Sequence, residues 1–142
     1  TESWENTLNS RCIISFRLEG FSVPKLEERL TDLMQQNIFK PYVIILDGLK
    51  FDESGRGLLV ELKELAQKYS MRIWFTIHTH RHEPPTEDGL PLSFRHVEDL
   101  FDVLVQLVAE GPEVYIKVLK GRSSKAKQDV LLLDPATMLI KV

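Results

Sequence analysis

The chain has 142 residues, 43% hydrophobic and 27% charged. That is the length of a single domain (1–142) with one sizeable core, and the composition excludes disordered, collagen-like and low-complexity classes. Lys+Arg 18 against Asp+Glu 21 gives a formal net charge of −3. This argues against a protein that coats nucleic acid through a generally positive surface, while leaving room for a local basic patch. One cysteine, Cys12, excludes an internal disulfide and a multi-cysteine zinc site. No apolar run reaches the roughly 20 residues of a membrane helix and no signal peptide is visible, so a soluble, cytoplasmic setting is expected. The opening Thr1-Glu2-Ser3, without methionine, points to an excised or processed piece.

Residues 1–10 read as a loosely ordered lead-in, and Cys12 to Phe16 (CIISF) as a first strand. Ser22 is placed to cap a helix whose first turn accommodates Pro24. Leu26, Leu30, Leu33 and Met34 form its apolar stripe, to about Asn37. Tyr42 to Leu46 (YVIIL) is apolar throughout, which predicts a parallel strand covered on both faces. A second amphipathic helix follows, with Leu58, Leu62, Leu65, Ala66 and Tyr69 inward and a Glu64–Lys68 pair at i, i+4. Arg72 to Ile77 (RIWFTI) is the next buried strand, with Trp74 in the core. The order βαβαβ implies parallel strands with right-handed crossovers.

The last third changes character. His78 to Pro91 is a polar, proline-bearing loop. Leu100 to Val108 has a strand at its centre, Glu110-Gly111-Pro112 is a turn, and Val114 to Lys120 is the returning strand. Gly121 to Gln128 is a basic loop. Val130 to Asp134 and Thr137 to Val142 close the chain as strand, tight turn, strand. The predicted class is therefore α/β: a mainly parallel sheet flanked by helices, with a C-terminal antiparallel hairpin added at one side.

Ligands of open parallel sheets bind beyond the carboxyl ends of the strands. That edge would carry Asp47 after the second strand and His78-Thr79-His80-Arg81 after the third. An Asp leaving a buried strand can hold magnesium through water in a nucleotide site, although a turn cap before Gly48 uses the same residue type.

KPYVIILDGL (Lys40 to Leu49) resembles the Walker B strand of RecA-like P-loop ATPases, in particular the KaiC-like and DnaB-like replicative-helicase branches. WFTIHTHR (Trp74 to Arg81) is similar to their following strand, which ends in a polar sensor segment. FDVLVQLVAEGPEVYIKVLKGR (Phe101 to Arg122) and VLLLDPATMLIKV (Val130 to Val142) resemble their closing strands, so the likeness spans roughly Phe21 to Val142. It implies an oligomeric ATPase using ATP and Mg2+. In it Asp47 would anchor magnesium and contact the nucleotide, and His78 and His80 would sense the γ-phosphate. Lys120 and Arg122 would act in trans on a neighbouring subunit. G-x-x-x-x-G-K-[ST] is absent: Gly55-Arg56-Gly57 and Gly121-Arg122-Ser123-Ser124-Lys125 have neither its spacing nor a preceding buried strand. The family's catalytic Glu belongs to an earlier strand, and Glu19 stands too close to Asp47 for that role. The chain then reads as the C-terminal part of such an ATPase, inactive and without tightly bound nucleotide by itself, or as a degenerate, non-hydrolysing scaffold.

Two other readings stand beside it. Arg17 to Phe75 is also similar to a STAS domain, the anti-anti-sigma interaction module. There Asp52-Glu53-Ser54-Gly55-Arg56-Gly57 would hold the phosphorylated serine, Ser54, at a helix start, where a phosphate is favoured. That reading implies a protein partner switched by phosphorylation. His78, His80 and His82 alternate and could share one face of an extended chain, with His96, Glu83 or Asp88 completing a zinc set; solvated loop imidazoles give the same pattern. Lys117, Lys120, Arg122, Lys125 and Lys127 form a basic run that suits either a functional patch or a solvated loop protecting a sheet edge.

Overall fold

A computed structural model describes residues 5–6, 10–17, 20–49, 55–78, 89–121, 130–134, 136–137 and 139–140. The chain divides into two compact units, one of Thr1–Leu49 with Gly57–Thr76, the other of Lys50–Arg56 with Ile77–Val142. Both are mixtures of helical turns and strand.

In the first unit, helix α1 (Val23–Gln35) begins where Ser22 accepts a hydrogen bond from the Lys25 N–H, with Pro24 in the first turn. It ends at Asn37, whose φ of 53° is left-handed, while the Asn37 and Ile38 N–H groups reach back to the Met34 and Leu33 carbonyls. This is a Schellman closure. Helix α2 (Gly55–Lys68) ends in the same way: Ser70 has φ 53°, and the Ser70 and Met71 N–H groups bond to Gln67 and Ala66. Each closure turns the chain into a strand, β1 (Val43–Asp47) and β2 (Arg72–Thr76), which pair in parallel from Val43 opposite Arg72 to Asp47 opposite Thr76. The predicted parallel neighbours are thus present.

Val23, Leu26 and Leu30 of α1 and Leu62 and Leu65 of α2 form the buried cluster, and Ile44, Leu46, Ile73 and Phe75 pack against it from one face of the sheet. Lys68 Nζ and the Tyr69 hydroxyl both donate to Glu27 Oε1, at 2.6 and 2.8 Å, joining the two helices at their rim. The expected intrahelical pairing of Lys68 with Glu64 is replaced by this longer-range one.

Two expectations need correction in this unit. The residues of the opposite face are exposed, with Val43 45%, Ile45 68% and Trp74 47%, so Trp74 is not a core residue, and among the described residues the buried cluster lies against one face of the strands. A continuous apolar run fixes strand character but not what lies over each face. The predicted strand Cys12–Phe16 forms no ladder among the described residues. Its alternation survives, since Ile14 and Phe16 are half-buried and Phe16 sits edge-on to Phe21 at 5.3 Å.

The second unit holds two 3-10 turns (Leu92–Phe94 and Glu98–Leu100) and an antiparallel sheet of β3 (Leu104–Glu110), β4 (Glu113–Lys120) and β5 (Val130–Leu133), in that order. Glu110 pairs with Glu113 across a two-residue loop, Gly111-Pro112, with Gly111 at φ 62°. Glycine first in such a loop is what the twist of a tight hairpin demands. Leu90, Phe94, Val97 and Leu133 are buried here. The antiparallel strands form a sheet of their own rather than an extension of β1 and β2. Among the described residues, the expected closing strand from Thr137 is reduced to one antiparallel bridge, Leu133 to Ile140. The Asp134 carboxylate accepts from the Ala136 N–H at 2.8 Å to make the intervening turn. No helix of the described residues is long and apolar enough to cross a membrane.

Candidate functional site

Asp47 is the last residue of β1 and Thr76 the last of β2, opposite one another in the parallel register. The Thr76 hydroxyl donates to Asp47 Oδ1. Both residues are exposed, and Asp47 Oδ2 has no partner among the described residues. Gly48 follows at φ 82°, with nothing within 4 Å of the position a Cβ would take. The chain thus leaves the strand by a left-handed step open to glycine, and the carboxylate stands at an uncrowded sheet edge. A carboxylate held through one oxygen has the donor chemistry to hold a water of a hydrated magnesium ion.

His78 lies two residues beyond β2 and is exposed. His80, Arg122, Glu19 and Ser54 lie outside the described residues, as do His82, Glu83, Asp88, Lys125 and Lys127. Among the described residues no group of three His, Cys, Asp or Glu side chains is arranged to hold a metal. Lys120 closes β4, half-buried, and its ammonium donates to the Glu98 carbonyl at 2.8 Å. Lys117 pairs with Glu110 at 3.3 Å across the β3–β4 hairpin.

The sequence reading overlooked two relationships. The first is Thr76, whose partnership with Asp47 depends on register and not on spacing. The second is Arg56, which stood out only as the centre of Gly55-Arg56-Gly57. Its guanidinium makes a two-pronged pair with the Asp99 carboxylate at 2.7 and 2.6 Å and donates to the His96 carbonyl at 2.5 Å. Asp99 is held at about 2, below its ordinary 3.8, by the Arg56 hydrogen bonds first and by the nearby Lys120 charge last. Arg56 and Lys120 together therefore fasten the second 3-10 turn within the second unit.

A separate groove of about 730 Å³ is lined by residues 12–16 and by α1. Ile13, Ile14 and Leu33 line it together with Lys25, Arg29 and Asp32. None of the predicted site residues lies there. Comparison of the chain with protein-family models, with curated proteins and with solved structures returns no match.

Proposed function

We propose that this chain is the C-terminal part of a RecA-like ATPase core of the KaiC-like or DnaB-like kind, in which Asp47 anchors the magnesium of bound ATP through water. The observation that carries the reading is the Asp47–Thr76 pair. An acidic residue and a hydroxyl are aligned at the carboxyl ends of two adjacent parallel strands, which is where open α/β sheets bind ligands. His78 and His80 follow on the same chain segment as γ-phosphate sensors, and Lys120 and Arg122 serve a neighbouring subunit of a homo-oligomer, where a cation stabilises transition-state charge. The phosphate loop belongs to a part of the protein other than these residues. The chain alone is therefore an inactive piece of the enzyme.

ATP turnover by the whole protein tests this. Asp47→Asn is expected to abolish turnover, and calorimetric titration of the 142-residue chain with Mg-ATP is expected to show no micromolar binding. Undiminished turnover in the variant, or tight binding by the chain alone, overturns the reading.

One observation favours the STAS-like alternative. Helix α2 begins at Gly55, the residue after Ser54, so a phosphate on Ser54 would stand at a helix start. If Ser54→Ala abolishes a phosphorylation-dependent interaction while the whole protein has no ATP turnover, that module is the function.

A further inference from the structure

Residues 12–16 of the first unit alternate as β1 and β2 do. Ile14 and Phe16 are half-buried, while Cys12, Ile13 and Ser15 are exposed, Ile13 to 88%. Phe16 packs on the same buried cluster as Ile44 and Leu46. Among the described residues the segment enters no backbone ladder, and with Lys25, Arg29 and Leu33 of α1 it lines the groove of about 730 Å³.

Strand β1 has a side to match. The Tyr42 carbonyl accepts from the Arg72 N–H, so in this parallel ladder Tyr42, Ile44 and Leu46 turn their backbone groups to β2. Those of Val43, Ile45 and Asp47 turn the other way, where no strand pairs with them among the described residues. Chain connection says which segment belongs there. Helices α1 and α2 both pack on one face of the sheet, and right-handed crossovers with both helices on that face put 12–16 beside β1, away from β2.

We propose that 12–16 is a strap that closes in parallel on this side of β1, opposite Tyr42 to Leu46, and brings Arg17 to Asp47. Face and length set the register. Ile14 and Phe16 join Ile44 and Leu46 over the cluster, whereas a shift of two residues carries Phe16 past β1 to Gly48. The opposite shift sets the strap against Pro41, which has no N–H to give. In the chosen register Arg17 shares the exposed face of Ile45 and Asp47. Its guanidinium then stands against the Asp47 carboxylate and closes it to a hydrated cation. That consequence rests on the nucleotide reading; the closure does not.

Hydrogen exchange by NMR on the 142-residue chain tests the closure. Parallel pairing in this register engages the amides of Ile14, Phe16, Val43 and Ile45 and leaves those of Ile13 and Ser15 free. The first four are expected to exchange about tenfold or more slower than the last two. Equal exchange across 13–16, or protection of Ile14 and Phe16 with Val43 and Ile45 free, overturns it. Tyr42, 79% exposed, opposes Cys12 in the closed strap with Cα atoms about 4.8 Å apart, within disulfide reach. Tyr42→Cys is therefore expected to bond to Cys12 within the chain on mild oxidation, and Lys40→Cys, two residues off register, far less. Equal yields overturn the register. In the whole protein, oxidised Tyr42→Cys is expected to turn over ATP about tenfold or more slower than the same variant reduced. Equal turnover with the disulfide formed overturns the gating of Asp47. Absence of turnover from the wild type overturns the nucleotide reading, and with it the gating, while exchange still decides the closure.

Discussion

Arg56 and Asp99, 43 positions apart in the chain, meet with both guanidinium prongs on both carboxylate oxygens, at 2.7 and 2.6 Å. The same Arg56 donates to the His96 carbonyl. A planar fork of this kind fixes orientation as well as distance, which a lysine at position 56 could not do. Arg56 is thereby fastened to the 3-10 region within the second unit.

The pairing has a pH signature. Asp99 is depressed from 3.8 to about 2 in the folded chain by Arg56. A carboxylate with a depressed folded value contributes stability above its unfolded value and loses it as pH falls through the folded one. The stability gap between wild type and Asp99→Asn should therefore be constant at neutral pH and close between about pH 4 and about pH 2. Urea midpoints across that range measure it. A gap that persists unchanged at about pH 2 would show that the exposed pair contributes nothing through its charge.

Leu62 is 0% exposed at the centre of the first unit's cluster. Leu62→Ala should cost about 2–5 kcal/mol, from lost transfer energy and the cavity left between the helices and the sheet. Hydrogen exchange should locate the damage in α1, β1, α2 and β2, with the β3–β5 sheet affected less, because that unit has buried residues of its own in Leu90, Phe94 and Val97. Uniform acceleration throughout would mean that the two units unfold as one.

The two Schellman closures make a matched pair of tests. Asn37 and Ser70 both have φ 53°, but asparagine tolerates the left-handed region better than serine. Ser70→Gly should therefore stabilise by about 0.5–1 kcal/mol, the relieved strain exceeding the added freedom of the unfolded chain. Asn37→Gly should gain less. Thermal unfolding of the two single variants orders them, and equal or reversed effects would contradict this account of the strain.

What could be read from the residues, and what could not, follows from the range of the forces involved. Helix α1 was legible because Ser22, Pro24 and the leucines at 26 and 30 act within a few turns of each other. The β3–β4 hairpin was legible because Gly111-Pro112 permits few alternatives. Cys12–Phe16 has strand composition but no ladder, since pairing requires a partner that local sequence does not specify. Ile45 and Trp74 looked buried because apolar character at every position cannot distinguish one covered face from two. The Glu27–Lys68 contact replaced a plausible local pair because Glu27, on α1, also receives the Tyr69 hydroxyl. At the candidate site, Asp47 was visible from its place after an apolar run. Thr76 needed the register of two strands 29 positions apart, and Arg56 needed the packing of the 3-10 turns.

The Asp47–Thr76 pair yields the most discriminating expectation. Both side chains are exposed, and among the described residues the carboxylate's hydrogen-bond partner is the Thr76 hydroxyl. Asp47→Asn keeps an oxygen for the Thr76 hydroxyl to donate to, so the 142-residue chain should keep its unfolding midpoint within experimental scatter. Thr76→Val removes the donor but keeps a β-branched side chain suited to the strand, so it too should fold. If Asp47 anchors the magnesium of ATP as proposed, the variants should separate in the whole protein. Losing the charge removes the anchor for a hydrated cation, an effect expected to be tenfold or more and to reach abolition of turnover. Losing only the hydroxyl lets the carboxylate swing, which should weaken magnesium dependence while leaving measurable activity. A magnesium titration of ATP turnover therefore distinguishes an anchor from its positioning partner. If Asp47→Asn instead unfolds the isolated chain, the carboxylate is a structural cap on the turn at Gly48. If both variants hydrolyse ATP with unaltered magnesium dependence, the paired strand ends are not a nucleotide site.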